Sequence, residues 1–175
     1  MINIEEPTIK DAKDIQQVFY ETWLATYPNK EAGITIKDVT EVFKNRFSEE
    51  AIRKRMDDIF DKSGNKLFVV AKDGMSIVGL CKAVKKESDN QLQAIYILPS
   101  HQGKGIGRML WNRACEFFEK DKDIIVQVAI YNDRAINFYK KLGFVDTGKR
   151  FADKHKMPSS GKFILTLNDD LREKE

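Results

Sequence analysis

The sequence predicts a single mixed α/β domain built around a largely antiparallel sheet. Its 175 residues, 42% of them hydrophobic, are enough to form one hydrophobic core and too few for two well-packed ones. The apolar spacing is helical over residues 10–62 and becomes strand-like afterwards. Two of the strands flank Asp73-Gly74, a dipeptide that favours a tight hairpin turn, and later strands are separated by helical segments. Because short turns join antiparallel strands and helices join parallel ones, we expect both kinds of pairing.

The first third of the chain is expected to be mainly helical. Asp11 stands where a helix N-cap is expected, and Pro28 closes the segment that follows. Ser48 is a plausible cap for a later helix, with Glu49 and Glu50 in its first turn. The predicted elements are a strand over 2–9 and helices over 13–26, 36–46 and 48–60.

The remainder alternates strands with helices. Asn132 is expected to cap the last helix, and Gly143 to end it in the left-handed conformation that glycine adopts easily. Helical spacing predicts that the preceding helix buries Leu110, Ala114, Phe117 and Phe118. The predicted elements are strands over 67–71, 76–80, 92–98, 123–130, 144–151 and 162–168, helices over 106–120 and 132–143, and a solvated tail over 169–175.

The composition argues against several classes of protein. A net charge of +3 is too small to indicate nucleic-acid binding. No apolar run approaches the roughly 20 residues that a membrane-spanning helix needs, and the N-terminus lacks the basic and apolar parts of a signal peptide. We therefore expect a cytoplasmic protein without nucleic-acid or membrane partners. The sequence does not indicate its oligomeric state.

The charge is unevenly distributed along the chain. Residues 1–62 contain ten Lys and Arg against thirteen Asp and Glu, a net charge of −3, and residues 63–175 carry +6. An acidic first third suits a cationic substrate, and a basic remainder suits an anionic cofactor. An uneven but solvated surface explains the same charges.

Two cysteines and two histidines give little sign of metal or disulfide chemistry. Cys81 and Cys115 fall within apolar patterning, which favours buried, reduced thiols over a disulfide or a metal pair. Neither histidine stands at a close metal-ligand spacing from a cysteine. We predict no metal site.

A glycine-rich segment, Gln102-Gly103-Lys104-Gly105-Ile106-Gly107, lies between a predicted strand and a predicted helix. In this arrangement exposed backbone N–H groups and the helix N-terminus converge on an anion, usually a phosphate. No GxxxxGK string followed by Ser or Thr exists, which excludes a Walker loop. The third glycine of a dinucleotide fingerprint is also missing, because Arg108 and Leu110 stand where it would fall.

The pattern that remains is QxxGxG directly after a strand that ends at Pro99. The string from Ala94 to Leu110 resembles the coenzyme A motif of GNAT-superfamily N-acetyltransferases. The resemblance implies that the amides of loop 102–108 hold the coenzyme A pyrophosphate, and that backbone groups of Ile95, Tyr96 and Ile97 meet the pantetheine arm. It also implies the family fold, with helices on both faces of the sheet. An ordinary glycine-rich turn would explain the string alone.

A second segment, 132–144, resembles the other signature of the same family, in which an asparagine begins a helix and Gly-Phe ends it. Asn132 and Tyr139 are seven residues apart, so both lie on one helical face, about 10 Å apart along the axis. The resemblance implies that Asn132 and Ala135 contact the cofactor. A helix cap and a core tyrosine are the alternative interpretations of Asn132 and Tyr139.

The resemblance also implies a mechanism, in which an amine attacks the acetyl thioester directly in a ternary complex. Tyr139 matches the family tyrosine that protonates the departing thiolate, and a backbone N–H of the strand before the loop is expected to meet the oxyanion. Many family members carry a glutamate on that strand, whereas this sequence has Gln91-Leu92-Gln93. The base is therefore open between a water chain and a side chain of the first helices, such as Glu21 or Tyr27.

The acceptor is the least determined part. In this family the first helices select the substrate, which points to Glu21, Trp23 and Tyr27 as candidate acceptor residues. The organisation is similar to PaiA-type polyamine acetyltransferases. We expect residues 1–62 to serve a small-molecule amine such as spermidine or spermine, 63–145 to bind acetyl-coenzyme A, and 146–175 to add the final strands. The alternatives are a protein N-terminal or lysine acetyltransferase and a catalytically idle coenzyme A sensor.

Overall fold

The computed structural model describes residues 1–151 and 160–165 of the chain. The helices are α1 (Ala12–Thr26), α2 (Ile36–Val42), α3 (Glu49–Ile59), α4 (Ile106–Phe117) and α5 (Asp133–Lys141). The strands are β1 (Ile2–Glu5), β2 (Lys66–Asp73), β3 (Ser76–Lys85), β4 (Asn90–Ile97), β5 (Ile124–Ala129), β6 (Val145–Phe151) and β7 (Ser160–Leu165). Single 3-10 turns at Ile9–Asp11 and Pro99–His101 were not predicted. The order of the predicted helices and strands is confirmed.

The seven strands form one sheet in the order β1-β2-β3-β4-β5-β7-β6. Its strand pairs are antiparallel except β4 and β5, which run parallel because helix α4 connects them. The predicted mixed α/β class with a largely antiparallel sheet is confirmed.

The parallel pair β4–β5 is short and opens into a gap. Pairing covers only three positions and ends where Leu92 meets Val126. Beyond that point β4 continues to Ile97 beside β3, and β5 continues to Ala129 beside β7, without pairing to each other. The sheet is therefore split at its centre, with the opening toward the carboxyl ends of both strands.

Helices cover the sheet on both faces, as the fold class predicted. On one face α1 packs Ile15 and Val18 against Phe68, Leu80 and other side chains of the central strands. The other face carries the main core, where α4 contributes Leu110, Trp111 and Ala114, and α5 contributes Tyr139. The gap between β4 and β5 consequently lies between a helical layer from the first third and a layer formed by α4 and α5.

Of the two predicted N-caps in the first third of the chain, only Ser48 makes a capping hydrogen bond. Ser48 caps α3, because its Oγ accepts a hydrogen bond from Ala51 N–H at 3.2 Å. Asp11 directly precedes α1, as predicted for an N-cap, but its side chain makes no capping hydrogen bond to the helix. Asp11 has helical backbone angles, and its carboxylate accepts hydrogen bonds from the N–H (2.7 Å) and the hydroxyl of Thr8 and from the Lys72 ammonium. The chain turns earlier than predicted, so the first strand ends at Glu5 instead of residue 9.

Other predictions about burial are partly confirmed. Cys81 is buried, but Cys115 is exposed, because it follows Ala114 on α4 and points away from the face that packs on the sheet. Burial raises the pKa of the Cys81 thiol to about 12. Phe117 is only partly buried, and Trp111 fills the core instead. The final strand was predicted to reach residue 168, of which 166–168 lie outside the described residues, as does the predicted tail.

Candidate active site

Two glycines set the shape of the loop between β4 and α4. Gly103 and Gly105 have φ of 83° and 82°, a left-handed conformation that costs other residues about 1–2 kcal/mol. Gly105 is the N-cap of α4, and its carbonyl accepts hydrogen bonds from the N–H groups of Arg108 (3.0 Å) and Met109 (3.2 Å). The loop therefore turns sharply into the helix.

The turn leaves donors free at the start of α4. The N–H groups of Ile106 and Gly107 belong to the first helical turn, which offers them no acceptor within the helix. Lys104 and Arg108 are exposed on either side of them. Backbone donors, the positive end of the helix dipole and two cationic side chains thus converge, which is the arrangement that holds a phosphate.

Gln102 connects this loop to the end of β4. Its side-chain Nε2 donates to the carbonyl oxygen of Ile97 at 2.9 Å. A carboxamide at this position is therefore used to hold the loop against the strand. The QxxGxG pattern therefore combines a side-chain hydrogen bond from its glutamine with the turn made by its glycines.

Gly107 is needed for a reason the sequence alone did not reveal. An added Cβ at this position would lie 3.2 Å from Cε2 and 3.3 Å from Cζ of Phe138 on α5, and 3.4 Å from Cδ1 of Ile97. The absence of a side chain lets α4 approach α5 and β4 closely. Gly105, by contrast, has open space around its Cα and is needed for its backbone angles.

The exposed edge of β4 offers main-chain groups to the gap at alternate residues. Leu98 N–H donates to Val78 O at 2.9 Å, and main-chain directions alternate along an antiparallel ladder. Tyr96, opposite Leu80, therefore turns its N–H and C=O toward β3, whereas Ile95 and Ile97 turn theirs toward the gap. Of the three residues predicted to meet the pantetheine arm through the backbone, Ile95 and Ile97 have donors on the correct side.

Helix α5 begins at the far side of the gap. The Oδ1 of Asn132 accepts a hydrogen bond from Ala135 N–H at 3.1 Å, so the predicted cap is confirmed. The Nδ2 group of Asn132 makes no hydrogen bond within the described part of the chain, which leaves a donor for a ligand. Ala135 is partly buried against the main core.

Tyr139 lies seven residues along α5 and is 6% exposed. Its ring meets those of Phe138 and Phe144 edge-on, with centroids 5.3 and 5.5 Å apart. Burial, together with the nearby thiol of Cys81 and phenol of Tyr96, raises the pKa of Tyr139 above its usual value near 10. The phenol is therefore protonated at neutral pH and can act as a hydrogen-bond donor.

The predicted acceptor residues occupy different environments. Glu21 is exposed, and its carboxylate accepts a hydrogen bond from Gln17 at 2.8 Å. Trp23 and Tyr27 are half-buried, with ring centroids 4.7 Å apart, beside Phe43 and the buried Ile34 and Val39. The Nε1 of Trp23 is buried and has no acceptor among the residues that the structure describes. An aromatic cluster therefore stands at the C-terminal end of α1.

Tyr131 joins this aromatic cluster from the opposite side of the gap. It follows β5, and its hydroxyl donates to the carbonyl oxygen of Tyr27 at 3.1 Å. Burial raises the pKa of Tyr131 to about 12. Sequence reasoning missed this residue because nothing in the local pattern relates it to a helix 104 residues away.

A cavity of about 210 Å³ lies at the narrow end of the gap. The sequence alone did not predict that its lining residues lie together. It is lined by Gln91, Leu92, Gln93, Ile125 and Gln127. The glutamines of both strands could have been noticed as polar positions in otherwise apolar strands, but their adjacency depends on the register of the parallel pair.

A polar network attaches the first third of the chain to the sheet. Gln16, buried in α1, accepts hydrogen bonds from Nε and Nη2 of Arg55 at 3.1 and 3.0 Å. Arg55 also contacts Asp58 at 3.1 Å, and Asp58 forms an ion pair with Lys82 on β3 at 2.6 Å. No residue of α3 is fully buried, and this network attaches the helix to α1 and β3 alongside the partly buried Ile59, which packs against the core.

The fold and site geometry agree with what the comparison with protein families finds. The acetyltransferase (GNAT) domain profile matches residues 16–156, which is most of the chain. The protein belongs to the GNAT acetyltransferase family. The resemblance noted from the glycine loop and the Asn132 helix is thereby confirmed.

Several known proteins are similar to the chain. Spermidine N(1)-acetyltransferase of Vibrio cholerae is 31% identical over 108 residues, 57% of this chain and 58% of that protein. The uncharacterised N-acetyltransferase YuaI of Bacillus subtilis is 26% identical over 117 residues, 67% of this chain and 64% of that one. The matches thus span less than two thirds of either curated relative.

Solved structures share the fold at low identity. The PaiA N-acetyltransferase of Thermoplasma acidophilum, solved in complex with coenzyme A, superimposes with a TM-score of 0.76 over 95% of this chain and 99% of that chain, at 20% identity. Mutant forms of the spermidine/spermine N-acetyltransferase SpeG of Vibrio cholerae give a TM-score of 0.62 over the full length of both chains, also at 20% identity.

No helix in the described ranges is long and apolar enough to cross a membrane. Within those same ranges, no group of three or more His, Cys, Asp or Glu side chains is arranged to hold a metal ion.

Proposed function

We propose that the protein transfers the acetyl group of acetyl-coenzyme A to a primary amine in a ternary complex. The observation that carries the proposal is the gap between β4 and β5. It has phosphate-binding amides at its wide end, the N–H groups of Ile95 and Ile97 along one edge, and the buried phenol of Tyr139 in the layer beside it. Family membership supports the choice of donor.

The reaction follows from these groups. The amine nitrogen attacks the thioester carbonyl, and the developing oxyanion is stabilised by a backbone N–H of Ile95 or Ile97. The C–S bond then breaks, and the sulfur takes a proton with the neutral phenol of Tyr139 as donor. The ammonium loses one proton to water before the attack, and the nitrogen loses a second through water afterwards, which restores the phenol of Tyr139. Water takes this role because Gln93 cannot act as a base and neither Glu21 nor Tyr27 lines the cavity at the narrow end of the gap.

A polyamine such as spermidine or spermine is the acceptor we propose. The net charge of −3 over residues 1–62 favours a polycation. The last turn of α1 contains no basic residue, so its carbonyl end attracts cations, and the rings of Trp23, Tyr27 and Tyr131 lie beside it. The similarity to a spermidine N(1)-acetyltransferase points the same way.

The proposal assigns one task to each part of the chain. Residues 1–62 receive the acceptor, residues 63–145 bind acetyl-coenzyme A, and the whole chain acts as a single domain. We also propose a cytoplasmic location, where thiols stay reduced, and Cys115 is an exposed free thiol. Neither nucleic acid nor a membrane takes part in the reaction.

The test is thiol release from acetyl-coenzyme A in the presence of an amine panel. The panel contains spermidine, spermine, putrescine, a lysine-containing peptide and a peptide with a free N-terminus. We expect thiol release with the polyamines at the highest kcat/KM. Faster release with either peptide would contradict the polyamine assignment, and no release with any amine despite coenzyme A binding would contradict the enzymatic proposal.

A further inference from the structure

We infer that the cavity at the narrow end of the gap receives the acceptor amine in its uncharged form, held by the carboxamides of Gln93 and Gln127. The inference rests on the proposed function and specifies how one end of the acceptor is recognised. Gln93 stands on the strand where many family members carry a glutamate, and Gln127 is not among the residues that the family resemblance implies.

The register of the sheet places these two side chains across from each other. Pairing of β4 with β5 stops where Leu92 meets Val126, so Gln93 and Gln127 occupy the first position at which the two strands no longer pair with each other. Gln93 is also the extra residue of a β-bulge, because Ala83 pairs with Leu92 and Lys82 with Ala94. A bulge redirects the side chain it carries. Both glutamines are exposed at the cavity.

The edge of β4 that is expected to bind the pantetheine arm runs from the phosphate loop toward the cavity. The phosphate-binding loop lies beyond the C-terminal end of β4, and the free donors of Ile97 and Ile95 follow it along the strand. From Ile97 to Gln93 the strand spans about 13 Å, at roughly 3.3 Å per residue. A thioester whose carbonyl accepts from the N–H of Ile95 lies two residues, about 7 Å, from Gln93, so the attacking nitrogen must lie near this side chain.

The cavity offers hydrogen bonds without charge. Its lining contains three carboxamides and two apolar side chains and no ionisable group. Each carboxamide can accept a hydrogen bond from an amine N–H through its oxygen, which leaves the nitrogen lone pair free to attack the thioester. At about 210 Å³ the cavity has the volume of about seven water molecules, which suits the end of an alkylamine.

The charges nearest the cavity disfavour an ammonium ion. Lys162 on β7 lies directly opposite Gln127, so both side chains are on one face of the sheet, and it has no ion-pair partner in the described part of the chain. Lys82 on β3 is neutralised by Asp58 at 2.6 Å. A positive charge beside a neutral, partly enclosed site destabilises a bound cation and favours the free amine.

Separate sites for the charged part and the reactive end of the acceptor explain how the transfer can proceed without a carboxylate base on β4. The charged remainder of a polyamine is attracted to the acidic and aromatic side of α1, and its reactive end enters a neutral site. The amine that enters has already given one proton to solvent. The second proton leaves the nitrogen through water after the attack and replaces the one that Tyr139 gives to the sulfur, so no carboxylate on β4 is required.

The kinetic test uses acetyl-coenzyme A with the amine that gives the fastest thiol release. The variants are Gln93→Leu and Gln127→Leu, with Asn112→Leu on the exposed face of α4 as the control for a lost carboxamide. We expect each cavity variant to raise the amine KM at least tenfold and to change the acetyl-coenzyme A KM less than twofold. An unchanged amine KM in both variants overturns the inference without affecting the proposed function.

The second test detects binding without turnover. Side-chain carboxamide signals of Gln93 and Gln127 are followed by ¹H–¹⁵N NMR in the coenzyme A complex, with 2,2,2-trifluoroethylamine, which is uncharged near neutral pH, and with tetramethylammonium. We expect shifts with the neutral amine only. Equal shifts with the quaternary ion, or none with the amine, overturn the inference. This outcome is independent of the amine panel, so failure of the proposed function remains distinguishable.

Discussion

The two sides of the gap differ in what positions their functional groups. On the cofactor side, positioning comes from the main chain, through the left-handed Gly105, the first turn of α4 and the edge of β4. On the acceptor side it comes from side chains distant in sequence, such as Gln16 with Arg55 and Tyr131 with Tyr27. The first kind is local and tolerates few substitutions. The second kind consists of single contacts that can be removed one at a time.

The difference implies that the two sides can be disturbed separately. A substitution in the polar network should alter α3 and acceptor binding and leave the phosphate loop unchanged. A substitution at the α4–α5 contact should alter cofactor binding and leave the acceptor helices unchanged. The predictions that follow test this separation, beginning with the largest expected effect.

Replacing Tyr139 by Phe removes the proposed proton donor and little else, because the ring stays packed between Phe138 and Phe144. We expect kcat to fall about 100-fold, the lower end of the usual contribution of a general acid. The coenzyme A dissociation constant, measured by calorimetry, should change less than twofold. Tyr20→Phe is the matched control for a lost phenol, because that ring packs against Arg46 and Phe43 in the first third of the chain and is not assigned to proton transfer. A normal kcat in Tyr139→Phe would remove the tyrosine from the mechanism.

Gln16→Leu should loosen α3 and spare the cofactor side. In this variant the partly desolvated guanidinium of Arg55 loses the oxygen that accepts two of its hydrogen bonds. The free energy of unfolding should fall by about 2 kcal/mol. Hydrogen exchange in α3 should accelerate strongly, with that of α4 unchanged. The neighbouring Gln17→Leu removes more exposed contacts and is expected to cost about 0.5 kcal/mol or less. Equal exchange rates in both variants would show that α3 has another attachment.

Gly107→Ala tests the contact between α4 and α5. The new Cβ would lie 3.2 Å from the ring of Phe138, and such overpacking costs about 1 kcal/mol or somewhat more. We expect lower coenzyme A affinity together with a lower unfolding midpoint. Adding Phe138→Leu should recover much of both losses by making room. If the second substitution adds to the loss instead, the steric explanation is wrong.

The sequence predicted the cofactor side better than the acceptor side for the same physical reason. Loop 102–108 is a local feature, so its spacing alone excluded two classes of nucleotide site and led to the family. Asn132 and Gly143 likewise act on the residues beside them, and both ends of α5 are as predicted. Local hydrogen bonds and backbone angles leave a trace in the nearby sequence.

What the sequence did not predict depends on tertiary packing. Asp11 was interpreted as a cap because its type suits one, yet Thr8 and Lys72 compete successfully for its carboxylate. The loop pattern gives no sign that Gly107 contacts α5, and the structure shows this contact. Gln93 and Gln127 meet only through the register of a parallel pair. None of these partners lies within the window that a local pattern can assess.

Tyr131→Phe should weaken the acceptor side by a modest amount. The lost hydrogen bond to the Tyr27 carbonyl is worth about 1 kcal/mol or less, since the ring remains in the aromatic cluster. We expect the KM for the amine to rise a few fold and the coenzyme A affinity to stay the same. The amine KM is measured by steady-state kinetics and the coenzyme A affinity by calorimetry. A change in coenzyme A affinity alone would place Tyr131 on the cofactor side.

The smallest expected effect concerns acid stability at the junction of α3 and β2. The hydroxyl and N–H of Ser63 and the ammonium of Lys66 (2.9 Å) hydrogen-bond Asp61, and they lower its pKa to about 2. A depressed carboxyl pKa stabilises the folded protein above the unfolded-state value near 4, and this contribution is lost as the pH falls toward 2. Asp61→Asn should therefore lower the urea midpoint slightly at neutral pH, and the difference from the parent protein should shrink between about pH 4 and pH 2. A difference that is constant over this range would mean that the Asp61 contacts do not depend on its charge.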